Sequence, residues 1–190
     1  MLTLTQAQAR IEARLPKKTP LIVALDGRSA AGKTTFANRL VHAFGGSVIH
    51  MDDFFLPAER FTPDREPLPG GNIDEERFVR EVLAPLQEGS AFCYRPFSCK
   101  SQSLLPPVPV SGPLIVVEGA YALLPRWGQY YDLALFFTVT AEEQQGRLLL
   151  RNGAKGMVPF LQRWIPREER YFAACSLPAP QHLLIDGAAE

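Results

Sequence analysis

Hydrophobic positions along this chain follow two rhythms. Short, nearly unbroken apolar runs at Leu21–Asp26, Ser47–Met51, Leu114–Glu118, Leu133–Thr138 and Leu183–Asp186 predict buried strands, because a strand covered on both faces needs no polar alternation. Between the runs, apolar residues recur at spacings of three and four. Phe36, Leu40, Val41 and Phe44 form one stripe, and Phe78, Val82, Leu83 and Leu86 within Arg77–Gln87 form another, so both stretches read as helices. Thr5-Gln6-Ala7-Gln8 has the form of a capping box ahead of Ala7, Ile11 and Leu15, predicting an N-terminal helix that Pro16 stops. Thr140-Ala141-Glu142-Glu143 opens a capped helix expected to run to Asn152, before Gly153. Strands alternating with helices imply a parallel α/β sheet.

One connection carries chemistry. Gly27-Arg28-Ser29-Ala30-Ala31-Gly32-Lys33-Thr34 is a complete G-x-x-x-x-G-K-[ST] loop, placed after the first apolar run and before a helical stripe. A glycine-hinged turn there points successive backbone N–H groups inward, where they cradle the β-phosphate of a nucleoside triphosphate. Lys33 is expected to reach the β- and γ-phosphates and the Thr34 hydroxyl to ligate Mg²⁺.

A phosphate cradle needs carboxylates to hold the metal and to accept a proton. Asp52-Asp53 follows the second strand, and Glu118 ends the third in the manner of a Walker-B acid. The alternative for each is a helix N-cap, but Phe54-Phe55 and Gly119 follow them, and neither opens an evident helix. Two long segments break the strand–helix rhythm: Pro57 to Gly71, rich in Pro, Gly and charge, and Ala91 to Gly112, with Pro96, Pro106, Pro107 and Pro109. Neither fits a sheet interior, and both are read as substrate-covering loops rather than plain connectors.

Composition narrows the partners. At 190 residues and 46% hydrophobic, the chain supports one core, and therefore a single domain over 1–190. Lys plus Arg and Asp plus Glu balance at 20 each, which gives no field for nucleic acid or an anionic membrane surface. The expected partner is a small molecule. Cys93, Cys99 and Cys175 lack metal-ligand spacing and suit reduced thiols, and residues 1–15 show no signal-peptide core, so a cytoplasmic location is expected.

Taken together, Gly27–Thr35, Met51-Asp52-Asp53-Phe54-Phe55, Gly71-Asn72-Ile73-Asp74 and Val117-Glu118-Gly119 resemble, in order and spacing, the uridine kinase/phosphoribulokinase group of P-loop kinases. The likeness spans about residues 20–190. It implies a P-loop NTPase fold, a three-layer α/β/α with a mainly five-stranded parallel sheet. It implies a kinase using ATP or GTP with Mg²⁺, phosphorylating a hydroxyl of a small metabolite: a nucleoside such as uridine, or pantothenate, glycerate or a sugar phosphate. A P-loop NTPase acting as a regulatory switch is the rival reading.

By the same resemblance Asp52 is the catalytic base and a metal ligand, Glu118 assists the metal, Asp74 binds acceptor hydroxyls or caps the next helix, and Phe55 lines the acceptor pocket. Asp53 stands as a neighbouring acid on the substrate side, and Thr35 completes the nucleotide loop after Gly27, Ser29, Ala30, Ala31, Gly32, Lys33 and Thr34. Arg147 and Arg151 map to a lid near 147–170 that closes over phosphates, and the substrate insertions map near 57–74 and 91–112. The chain departs from the nucleoside-specific pattern at Tyr94-Arg95-Pro96-Phe97-Ser98-Cys99-Lys100, where an acid and a His are missing. Tyr94 and Arg95 are candidates for the substrate site, where Arg95 and Lys100 either suit an anionic acceptor or face solvent. Many relatives associate, so a homo-oligomer is compatible with the likeness, although one core accounts for the apolar residues here.

Overall fold

The computed structural model describes residues 1–189. After helix α1 (Leu4–Glu12) the chain enters β1 (Leu21–Gly27), passes through the glycine loop into α2 (Lys33–Phe44) and returns as β2 (Ser47–His50). Helix α3 covers residues 75–88, with one wide turn at Val79–Leu83. Four short strands follow, β3 (Phe92–Tyr94), β4 (Phe97–Ser98), β5 (Ser103–Leu104) and β6 (Val108–Val110), then β7 (Leu114–Glu118) and β8 (Leu133–Thr138). Helix α4 (Ala141–Pro159) leads through Phe160–Trp164 into α5 (Ile165–Ala174), and β9 (Leu183–Asp186) closes the order.

The five long strands form one parallel sheet in the order β2-β7-β1-β8-β9. Their side chains alternate between two apolar layers, as the pleat requires. Ile22, Ala24, Ile115, Val117 and Phe136 pack with Phe78 and Val82 of α3 and with Tyr171 and Phe172 of α5. Leu21, Val23, Leu25, Val116 and Phe137 pack with Ala7 and Ile11 of α1 and with Phe36 and Leu40 of α2. Helices on both faces of a parallel sheet make a three-layer α/β/α architecture. No helix among the described residues is long and apolar enough to cross a membrane.

Local details differ from the sequence expectations in three places. The capping box is formed by Thr3 and Gln6: Gln6 N–H donates to Thr3 Oγ1 at 3.2 Å and Thr3 N–H to Gln6 Oε1 at 3.1 Å. Thr5 therefore lies inside α1; the overlapping Thr-x-x-Gln pattern two residues earlier lets the helix start sooner and brings Leu4 against the core. Strand β2 stops at His50, because Met51–Phe54 turns tightly and buries Met51 and Phe54 on either side of the acid pair. Segment 91–112 is not irregular loop but a nested hairpin, β3 against β6 and β4 against β5, with Pro109 tolerated because each ladder has only two strands.

The register sets the site. Leu25 and His50 both lie opposite Glu118, so the carboxyl ends of β1, β2 and β7 meet at one edge. Open α/β sheets bind ligands at such an edge, beside the point where strand order reverses.

Candidate active site

At the end of β1, Gly27 lies against Phe137 of β8 with φ +122°, and a side chain there would overlap the Phe137 backbone. Only glycine meets both demands. The loop then takes left-handed backbone at Ala30 (φ 59°) and at Gly32 (φ 94°), the residue that caps α2. Lys33 opens α2, and its ammonium folds back to donate to Gly27 O at 2.9 Å and Arg28 O at 2.8 Å. Thr35 follows on α2, while Ala31 packs into the core and its N–H donates to Arg28 O.

The acids stand across from this loop. Thr34 Oγ1 donates to Glu118 Oε1 at 3.0 Å, and His50 Nδ1 lies 2.6 Å from the same oxygen. The bond to Glu118 raises the His50 pKa above its ordinary value against the opposing effect of burial. Asp52 remains open to solvent at the cleft mouth, but the protein enclosing it on its other sides, and then the Glu118 charge, push its carboxyl upward. Asp53 has a different neighbour: Tyr94 OH donates to its Oδ2 at 2.7 Å. Burial first, and then that bond, raise the Tyr94 phenol.

A cavity of about 420 Å³ joins these groups. Ser29, Ala30, Lys33, Thr34, Asp52 and Glu118 line it. Phe55, Asn72, Cys99, Tyr121, Arg151, Phe160, Trp164 and Glu168 line it as well. Phe55 and Trp164 lie nearly parallel, 6.3 Å between ring centroids, and Arg151 sits over Phe160. Gly153, with φ 68°, breaks α4 two residues beyond Arg151.

Other expected residues lie outside the cavity. Asp74 is buried as the cap of α3, accepting from Arg77 N–H and from Arg60 at 2.8 Å. Tyr94 stacks on Phe54 and donates to Asp53 rather than lining the cavity. Arg95 donates to the carbonyls of Leu104 and Leu105, clipping the hairpin shut, and Lys100 is exposed. Arg147 ties Ala30 O to Gly187 O, at 3.2 and 3.0 Å, and pairs with Glu143.

No group of three or more His, Cys, Asp and Glu side chains among the described residues is placed to cage a metal. Magnesium does not require one, since it takes one or two carboxylates and completes its shell with water and phosphate oxygens. Thr34, Glu118 and Asp52 fit that need as hard oxygen donors, and the repulsion between the two acids is what such a cation would relieve.

No family model matches the chain, and no curated protein matches it. Solved structures do. A candidate fructose transport system kinase from a Silicibacter species is similar at 23% identity over 97% of this chain and 99% of its own, with a TM-score of 0.73. A possible uridine kinase from Bacillus stearothermophilus is similar at 18% identity over 95% and 99%, with a TM-score of 0.67. The chain has the P-loop NTPase fold. A candidate circularly permuted P-loop kinase from Saccharomyces cerevisiae, at 12% identity over 96% and 97%, gives a TM-score of 0.65.

Around the P-loop, the structure adds residues that sequence reasoning passed over. His50 had a usable signal, near the end of the strand read at Ser47–Met51 and just before the acid pair. Asn72 belongs to the Gly71-Asn72-Ile73-Asp74 segment; it lines the cavity, and its buried Oδ1 has no hydrogen-bond partner among the described residues. Glu168 offered no signal, because Arg167-Glu168-Glu169-Arg170 reads as a solvated charged face. It is in fact buried, with its carboxylate on Ser29 of the P-loop.

Proposed function

We propose that this protein is a kinase that transfers the terminal phosphoryl group of ATP or GTP to a hydroxyl of a small metabolite. The observation that carries the reading is one cavity holding both halves of the chemistry. Lys33 and Thr34 stand on the phosphate side, and Asp52 faces them with its basicity raised. In phosphoryl transfer the acceptor oxygen attacks the terminal phosphorus, the bond to the bridging oxygen breaks, and the nucleoside diphosphate leaves. Asp52 takes the hydroxyl proton. Lys33 and the loop N–H groups stabilise the charge on the departing and transferred oxygens, with Arg151 approaching from the segment before Gly153. A divalent cation held through Thr34, Asp52 and Glu118 would add charge neutralisation across the phosphates.

Phe55, Asn72 and Trp164 then form the acceptor wall. A neutral, ring-bearing alcohol such as a nucleoside is favoured over an acceptor with phosphate or carboxylate, because Arg95 is spent on the hairpin and Lys100 is exposed. Segments 57–74 and 91–112 serve as substrate elements and 147–170 as the lid.

Nucleotide consumption measured over a panel of hydroxyl metabolites tests this. We expect one acceptor to stimulate it, chelation of divalent cations to abolish it, and Asp52→Asn to lower kcat by about 10²–10⁴-fold with nucleotide binding retained. Lys33→Ala should weaken nucleotide binding itself. Hydrolysis indifferent to every acceptor would replace the kinase with an NTPase switch.

A further inference from the structure

Helix α5 grips the P-loop through three neighbouring side chains. Tyr171 OH donates to Asp26 Oδ2 at 2.7 Å, Glu169 pairs with Arg28, and Glu168 reaches Ser29. The first two fasten the base of the loop. The third differs, because it places an anion on the loop's own donors. Ser29 N–H donates to Glu168 Oε1 at 3.0 Å and Ser29 Oγ to Oε2 at 3.2 Å. Gln144 of α4 holds the same Oε2 at 3.2 Å and also donates to Ser29 O at 3.2 Å. Glu168 is only 6% exposed, and burial pushes its pKa upward against the pull of Lys33.

P-loop N–H groups are donors for phosphate. An anion already seated on one must leave or tolerate a second anion at close range, where like charges repel strongly because little water screens them. Position decides which phosphate is involved. Ser29 and Glu168 line the same cavity as Asp52, Lys33 and Thr34. If Asp52 activates the acceptor, the phosphoryl group being transferred lies in this shared cavity, within reach of the Ser29 donors.

Resting on the kinase reading, the geometry points to Glu168 as a specificity residue for the nucleotide: its carboxylate occupies the Ser29 donors that a terminal phosphate would use. A triphosphate binds by displacing it, and a diphosphate leaves it seated. Arrival of the terminal phosphate therefore loosens α5 from the P-loop.

Calorimetric titration of Mg·ATP and Mg·ADP into the native protein, Glu168→Gln and Glu168→Ala tests this. Glu168→Ala is expected to bind ATP about tenfold more tightly, with ADP affinity changed by less than about twofold. Glu168→Gln should shift in the same direction by less. It keeps an acceptor for the Ser29 N–H, so it remains informative if the Ala variant melts below assay temperature. Unchanged or weaker ATP binding in both variants overturns the assignment, as does an equal gain for ATP and ADP. ATP binding that ignores residue 168 removes only the role of Glu168, whereas failure of every form to bind either nucleotide removes the kinase reading as well.

Discussion

Asp52 and Asp53 are neighbours in different settings, and the difference comes from what each carboxylate touches. The tight turn at Met51–Phe54 buries the flanking Met51 and Phe54 and leaves Asp52 at the cleft. Asp53 is held by Tyr94 OH instead. Tyr94→Phe removes a bond to a charged acceptor from a half-buried pair, so it should cost about 1–3 kcal/mol of stability, read by urea denaturation. Activity should fall less than it does in Asp52→Asn, since the proposed proton acceptor is untouched. A Tyr94→Phe loss as deep as that of Asp52→Asn would move the base to Asp53.

At the scale of elements, α5 carries an acid into a place that disfavours its charge. Burial raises the Glu168 pKa in the folded state, while the unfolded chain titrates near the ordinary Glu value. Between those two values the folded protein keeps a proton that the unfolded chain has released. Stability therefore falls as pH rises through that window, and the cost persists at neutral pH. Glu168→Gln should melt about 2–4 °C above the native protein at pH 7.5, with the gap closing as pH drops toward the ordinary carboxyl range. Calorimetric melting across that range is the check, and a gap that widens on acidification would reverse the assigned sign.

The whole molecule is two apolar layers around one parallel sheet, and the site rests on the layer that includes α3 and α5. Phe54 is fully buried there, edge-on to Phe78 at 5.2 Å and stacked with Tyr94 at 5.4 Å. Phe54→Ala should cost about 3–5 kcal/mol, measurable by chemical denaturation. Because Phe54 adjoins both acids, turnover should fall along with stability. A loss below about 1 kcal/mol would mean that the layer repacks around the cavity.

Strands, helix faces and the P-loop were legible in the sequence because each depends on residues close together in the chain. Periodicity of two or 3.6 and a glycine-hinged turn are local properties, and they placed Lys33, Thr34, Asp52 and Glu118 at strand or helix ends before any contact was known. Burial and partnership are not local. Asp74 became a helix cap because Arg60 and the Arg77 N–H surround it, and Arg95 became a hairpin clip because the carbonyls of Leu104 and Leu105 fold over it. Glu168 lies 139 residues from Ser29, beyond the reach of any spacing rule. By itself the sequence determined the phosphate cradle and the acids opposite it. Only the packing of α5 against the loop decided that the cradle carries an anion of its own, because that contact exists only after the sheet has brought the two ends of the chain together.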